Sequence, residues 1–183
     1  MREIIDAICA RISGCADARI LICIDGPAGA GKTTLAAALA TELIDVAVVH
    51  MDELYDGWDG ALSADLTRRL VTQIRDPFLA GRPVRYEPYD WYAFSFGASR
   101  SVAPTRALIV EGVGSAQQRM RERAHVTVFI DIAPALGRER VITRDGDVVL
   151  GHIEAWQAAE SAHFSADETR RHAHIIVNAD QAL

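Results

Sequence analysis

The stretch Gly26-Pro27-Ala28-Gly29-Ala30-Gly31-Lys32-Thr33 decides the fold of this chain of 183 residues. It fits the P-loop pattern, in which a glycine and four further residues are followed by Gly-Lys-Thr. The glycines let the backbone turn so that successive amide N–H groups point at phosphate oxygens. Lys32 places a positive charge on the outer phosphates, and the Thr33 hydroxyl is a ligand for Mg²⁺. The stretch therefore predicts a phosphate-binding loop.

The sequence on both sides of this loop supports the prediction. The apolar run 20–24 precedes the loop, and a helical stripe of Leu35, Leu39 and Leu43 follows it. A phosphate site at the N-terminus of a helix needs this order of strand, loop and helix. We predict an ATP site that consists of Gly26, Ala28, Gly29, Ala30, Gly31, Lys32, Thr33 and Thr34.

Lys32 is also the only lysine among the 19 Lys and Arg residues of the chain. A lysine at this position, in a chain that otherwise uses arginine for its cations, indicates that a compact and flexible ammonium group is needed there. We therefore predict that Lys32 takes part in catalysis as well as in ATP binding.

The composition argues against several classes of partner. The chain has 25 acidic and 19 basic residues and a formal net charge of -6, so its surface as a whole repels nucleic acid and anionic membranes. Residues 1–19 carry charges throughout and lack the apolar core of a signal peptide, and no later run reaches membrane-spanning length. We expect a cytoplasmic protein without nucleic-acid or membrane partners. The sequence leaves open whether the protein forms a homo-oligomer.

Short apolar runs alternate with helical stretches from end to end, which is typical of an α/β protein. The unbroken apolar character of the runs favours parallel strands that are covered on both faces. The length and apolar content suit one compact domain, 1–183. Segment 82–104, rich in proline, aromatic residues and glycine, is predicted to be a long substrate-side loop or partial lid. The predicted strands are 19–25, 46–51, 106–111, 126–131 and 174–178.

Carboxylates follow two of these strands. Ligands of an open parallel sheet bind beyond the carboxyl ends of its strands, so Asp52 and Glu111 are expected to face the P-loop. Glu111 is the candidate ligand for Mg²⁺ or its water, with Thr33. Asp52 is the candidate base for a hydroxyl proton and a further candidate for the metal's shell. Glu53 is the rival base, but alternation at the strand exit points it to the other side.

Four further motifs follow the P-loop: Met51-Asp52-Glu53-Leu54-Tyr55, Pro88-Tyr89-Asp90-Trp91, Ile109-Val110-Glu111-Gly112 and Arg144-Asp145-Gly146. In this order, they resemble the motifs of the uridine kinase and phosphoribulokinase-like family over most of the chain. The resemblance implies a three-layer P-loop NTPase fold, with helices on both faces of a five-stranded parallel sheet in the order 2-3-1-4-5. It also implies that Asp52 is the base, that Glu111 and Thr33 lie around Mg²⁺, and that Asp59, Tyr89 and Asp90 lie near the acceptor.

Segment 138–151 is predicted to be a short lid. Arginine stabilises charge on a transferring phosphoryl group, and in a helix Arg140 and Arg144 share a face while Arg138 lies apart. We assign Arg140 to ATP binding and Arg144 to catalysis. The alternative is a solvated helix face with Glu139 as a partner. The lid is shorter than in uridine kinases and no residue matches their pyrimidine-reading positions, so the resemblance does not extend to uridine as a substrate.

Aromatic residues near the prolines have two interpretations. They line an acceptor pocket, or they pack together only to hold their loop, and both interpretations stay open. On the acceptor side we place Tyr55, Asp59, Tyr89, Asp90 and Trp91.

The sequence thus predicts a kinase that uses ATP and Mg²⁺ to phosphorylate a hydroxyl of a small molecule. The alternative is a P-loop ATPase whose nucleotide state controls a partner protein. A guanine-specific switch is excluded, because its Asn-Lys-x-Asp motif needs a second lysine.

Overall fold

A parallel sheet of five strands forms the centre of the computed structural model, which describes residues 1–179. Its strands agree within one residue with the five predicted ones. Every residue of the two strands 20–25 and 107–111 is buried, as expected for parallel strands covered on both faces. In chain order the strands are β1 (Ile20–Asp25), β2 (Val46–His50), β3 (Val84–Tyr86), β4 (Tyr89–Asp90), β5 (Ser95–Phe96), β6 (Arg100–Val102), β7 (Ala107–Glu111), β8 (Val126–Asp131) and β9 (Ile175–Asn178).

The strand order of the large sheet is β2-β7-β1-β8-β9. It differs in numbering from the predicted 2-3-1-4-5, because the four short strands β3 to β6 lie between β2 and β7 along the chain. When only the strands of the large sheet are counted, the two orders are the same. The parallel register places His50 opposite Glu111, and Ile24 opposite Glu111 on the other side. The ends of β1, β2 and β7 therefore meet at one edge.

Helices cover both faces of this sheet. None of the helices within residues 1–179 is both long and apolar enough to cross a membrane. The helices are α1 (Arg2–Ser13), α2 (Lys32–Glu42), α3 (Ala64–Arg69), α4 (Asp76–Leu79), α5 (Gln118–Arg121), α6 (Pro134–Asp145) and α7 (Ile153–Asp167), together with a π-helical turn (Leu70–Arg75) and two 3-10 turns (Met51–Glu53 and Gly146–Val149).

Side-chain alternation along β1 divides the core into two parts. Leu21 and Cys23 point into one apolar cluster, which also contains Leu66 of α3 and Trp156 of α7. The even-numbered isoleucines of the strand point into the other cluster, which contains Leu35 of α2. Because successive side chains of a strand face opposite ways, one strand serves both layers. The three-layer α/β architecture is confirmed.

Segment 82–104 contains more regular structure than the sequence predicted. Strands β3 and β6 form one antiparallel pair, and β4 and β5 form another. In β3, Val84 and Tyr86 are buried while Arg85 is exposed. This alternation spans only three residues and lies next to prolines, so it gives no clear periodic signal. The sequence therefore did not reveal the two strand pairs within the segment that it predicts to be a long loop or partial lid.

Candidate functional site

The P-loop connects β1 to α2, which begins at Lys32. Gly29 and Gly31 have φ angles of +78° and +91°, a region that other residues rarely adopt. A Cβ atom at Gly29 would lie 2.3 Å from the carbonyl oxygen of Gly137 in α6, so only glycine fits here. The Lys32 ammonium donates hydrogen bonds of 2.7 Å to the carbonyl oxygens of both Gly26 and Pro27. The loop is thus folded around the lysine, in a shape suited to phosphate.

A buried carboxylate fixes the position of this loop. Asp25 is fully buried and accepts hydrogen bonds from the amides of Gly26, at 2.7 Å, Gly114, at 2.9 Å, and Ala116, at 2.7 Å. Burial raises the pKa of Asp25, and the three amides oppose this shift. The carboxylate therefore joins the start of the P-loop to the segment that follows β7.

The predicted metal ligands lie side by side. The Thr33 hydroxyl donates a hydrogen bond of 3.0 Å to Glu111 Oε1. The same oxygen lies 2.6 Å from Nδ1 of His50 at the end of β2. This bond raises the pKa of His50. A hydroxyl and a buried carboxylate next to a phosphate-binding loop are hard oxygen donors of the kind that Mg²⁺ prefers, so Thr33 and Glu111 fit the ion.

Asp52 and Glu53 have different surroundings. Asp52 is exposed to solvent, but the surrounding protein atoms and the Glu111 charge raise its pKa, while Lys32 and Arg144 oppose the shift. Glu53 instead accepts hydrogen bonds from the Tyr86 hydroxyl, at 2.5 Å, and from Arg100. Glu53 is thus held by segment 82–104, while Asp52 faces the charges of the phosphate side.

The three arginines of α6 have different partners. Arg140 donates a hydrogen bond of 3.4 Å to the carbonyl oxygen of Gly29 in the P-loop. Arg144 pairs with Asp145 through bonds of 2.7 and 2.6 Å, and this pair raises the pKa of Arg144. Arg138 points elsewhere and forms a surface ion pair of 2.8 Å with Glu154 of α7.

An aromatic cluster lies beside Asp52. Trp91 donates from Nε1 to the main-chain oxygen of Asp52 at 2.9 Å, and its ring packs against Trp58 and Tyr89 with centroids 5.1 and 5.2 Å apart. Trp58 also stacks on His152 at 4.9 Å, directly after the lid segment. The cluster therefore lies beside Asp52 and reaches the residue that follows segment 138–151.

Three other predicted acceptor-side residues have different placements. Tyr55 is 1% exposed and its hydroxyl donates to the Val113 oxygen at 2.9 Å, so this side chain belongs to the core, and its assignment as an acceptor contact was wrong. Asp90 is exposed and its carboxylate accepts from the amides of Tyr92 and Ala93 at the turn between β4 and β5. Asp59 lines a cavity of about 410 Å³ between the loop after Trp58 and α7.

Sequence analysis missed two residues of the site. His50 contacts Glu111, and Glu160 of α7 is 4% exposed and accepts a hydrogen bond of 3.0 Å from the Ala28 amide of the P-loop. His50 directly precedes the Met51 motif, so its position at a strand end was a usable signal. Glu160 lies in a helix far from every motif, and no local pattern marks it.

The fold and the loop geometry together define a three-layer α/β fold with a P-loop after its first strand. Among solved structures, the chain is similar to a possible uridine kinase from Bacillus stearothermophilus, with 22% identity, coverage of 96% and 98% of the two chains and a TM-score of 0.72. Two shikimate kinases are more distant. The enzyme from Acinetobacter baumannii, solved with shikimate, has 19% identity, coverage of 91% and 87% and a TM-score of 0.55. The one from Bacteroides thetaiotaomicron has 20% identity, coverage of 88% and 86% and a TM-score of 0.51.

Sequence comparison gives less information. No protein-family model matches the chain. Two curated proteins of Arabidopsis thaliana, the inorganic pyrophosphatases TTM1 and TTM2, are 27% and 29% identical over 125 and 129 residues, which cover 62% and 67% of this chain. The chain spans about a fifth of the length of these relatives, 19% in each case. At these identities, the similarity to solved structures establishes the fold alone.

Proposed function

We propose that this protein is a kinase that transfers the γ-phosphoryl group of ATP to a hydroxyl of a small molecule in the presence of Mg²⁺. One observation carries the proposal. Asp52 is exposed to solvent, and its carboxylate interacts electrostatically with Lys32 and Arg144. A carboxylate in this position can accept a proton from a hydroxyl while the phosphate-binding groups hold the other reactant.

Each group has a distinct task in this proposal. The P-loop amides and Lys32 hold the phosphates, and Arg140 secures the loop through Gly29. Thr33 and Glu111 would hold Mg²⁺, which would supply neutralisation of phosphate charge. Arg144 stabilises charge on the transferring group, and its contact with Asp145 holds the guanidinium at the end of α6.

Asp52 orients the acceptor hydroxyl and takes its proton. Trp91 fixes the main chain of Asp52 without using the carboxylate, because its indole donates to the backbone oxygen. The carboxylate is therefore left for the acceptor. The rings of Trp58, Tyr89 and Trp91 would then form one wall of the acceptor pocket, which favours an acceptor with a flat or apolar face.

A screen of ATP consumption tests the proposal. The protein is incubated with Mg-ATP and pools of nucleosides, sugars and vitamin precursors. We expect at least one hydroxyl compound to raise ADP formation many-fold above the basal rate, with uridine a weak substrate or none. Efficient and selective uridine turnover would show that the short lid was overinterpreted. A basal ATPase rate that only a protein partner stimulates would favour the nucleotide switch.

A further inference from the structure

Glu160 is a buried acidic group that the proposed chemistry does not use. Its Oε2 atom accepts hydrogen bonds of 3.0 Å from two donors, the Ala28 amide and the Trp156 indole. Burial raises the pKa of Glu160, whereas the Ala28 amide, Lys32 and Trp156 lower it. A carboxylate thus lies directly against a loop whose amides and ammonium are suited to bind anions.

The second donor connects Glu160 with the acceptor side. The Trp156 ring packs against Tyr55 and Trp58 with centroids 5.3 and 5.7 Å apart. Trp58 packs in turn against Trp91, whose indole donates to the Asp52 backbone. One oxygen atom of Glu160 therefore has a donor from the phosphate loop and a donor from the aromatic cluster beside the base.

We propose that Glu160 senses the outer phosphate of the nucleotide, weakens the binding of ATP relative to ADP, and transmits the presence of ATP to the aromatic cluster through Trp156. The inference deepens the proposed function and rests on it in assuming that a nucleotide occupies the P-loop. A triphosphate brings more negative charge to the loop than a diphosphate does. In a buried site this charge acts on a nearby carboxylate with little screening, so the Glu160 bond to Ala28 weakens and Trp156 shifts with it.

The tryptophans provide a direct readout of this coupling. The chain contains three, at positions 58, 91 and 156, and all of them belong to the cluster just described. Intrinsic fluorescence therefore reports on the cluster without a label. ATP and ADP, each with Mg²⁺, are titrated into the wild type, Glu160→Gln and Glu154→Gln. Glu154 lies on the same helix but pairs with Arg138 at the surface, which makes it a matched control.

Glu160→Gln keeps an oxygen that can accept from Ala28 but removes the charge. We expect ATP to bind roughly fivefold more tightly to this variant, with ADP changed less than about twofold. The emission change that distinguishes ATP from ADP in the wild type is expected to disappear. Glu154→Gln should behave as the wild type does. A lower melting temperature of Glu160→Gln with an unchanged ATP-to-ADP affinity ratio would mean that Glu160 is only structural, and would overturn the inference.

Trp156→Phe tests separately whether Trp156 transmits the presence of ATP to the aromatic cluster. It also tests the inference if Glu160→Gln does not fold. The variant keeps the carboxylate and an aromatic ring but lacks the indole donor. We expect Trp58 and Trp91 to stop responding to ATP while the ATP-to-ADP affinity ratio stays within about twofold of wild type. A response of these two tryptophans equal to that of the wild type would overturn the inference. If neither the wild type nor any variant binds a nucleotide, the inference and the proposed function are both wrong.

Discussion

Replacement of Asp52 by Asn separates the proposed base from the rest of the site. The change preserves the shape of the side chain and removes its charge. The Trp91 bond to the main-chain oxygen of Asp52 does not depend on the carboxylate, so the local backbone should be retained. Thr33, Lys32 and Glu111 are also unchanged. The variant therefore reports on the carboxylate itself.

The expected loss follows from what remains in place. Positioned acid–base groups contribute about 10²–10⁴ to a rate, and the variant keeps phosphate binding, the metal ligands and Arg144. We therefore expect a loss at the lower end of this range. Acceptor-dependent turnover should fall roughly a hundredfold, which corresponds to an increase of about 3 kcal/mol in the activation free energy. Nucleotide affinity without Mg²⁺ should hardly change, because the loop amides and Lys32 provide it.

The assay measures ADP formation with and without the acceptor found by the screen. Glu53→Gln is the matched control, because Glu53 is the adjacent carboxylate but is bound to Tyr86 and Arg100. We expect Glu53→Gln to affect stability more than turnover. Loss of transfer in Asp52→Asn with basal hydrolysis intact supports the base. Wild-type transfer in Asp52→Asn, or an equal loss in both variants, would refute the reasoning, and Asp59 and Asp90 would be tested next.

Three further predictions concern the charges around Asp52. Arg144→Ala should lower kcat by tens-fold, or about 2 kcal/mol, with a smaller effect on ATP affinity, while Arg138→Ala, which loses only a surface ion pair, should retain activity. An amine-directed reagent can modify only Lys32 and the N-terminal amine, because the chain has one lysine. We expect Mg-ATP to protect Lys32 but not the N-terminal amine from modification. Equal modification of Lys32 with and without Mg-ATP would contradict its role in phosphate binding. The pKa of Asp52 is raised above its ordinary value of 3.8, and the base acts when deprotonated, so kcat should fall with decreasing pH through a pKa above 3.8. Because Arg144 lowers the pKa of Asp52, the fall of kcat at low pH should begin at a higher pH in Arg144→Ala than in the wild type. An unchanged pH profile would show that Arg144 does not influence the ionisation of Asp52.

Local signals in the sequence were sufficient for the sheet and for the phosphate side. The strands of the large sheet are runs of apolar residues between helical stripes, so their ends were predicted within one residue. The P-loop pattern located Lys32 and Thr33, and the end of a strand located Glu111. The Thr33–Glu111 contact of 3.0 Å then follows from the parallel order, because β1 and β7 are neighbours that end at the same edge.

The remaining contacts of the site were harder to predict because they join distant parts of the chain or depend on how side chains pack. Glu160 meets Ala28 across 132 positions, and no periodicity reveals such a pair. Tyr55 is the last residue of the motif that contains Asp52, yet its side chain turns into the core and its hydroxyl donates to the Val113 oxygen. Strands of two or three residues, such as β4, are too short for the alternation that identifies a strand. Tertiary packing determines these features.

The central claim is transfer of phosphate to a small-molecule hydroxyl, and the fate of the γ-phosphoryl group tests it most directly. The protein is incubated with Mg²⁺, the acceptor from the screen and ATP that is labelled at the γ-phosphate. The products are separated by chromatography, and their masses are measured by mass spectrometry. We predict that the label appears in the acceptor, whose mass increases by one phosphoryl group, in a one-to-one ratio with ADP. Label found only in inorganic phosphate, at the same rate with and without the acceptor, would contradict the claim.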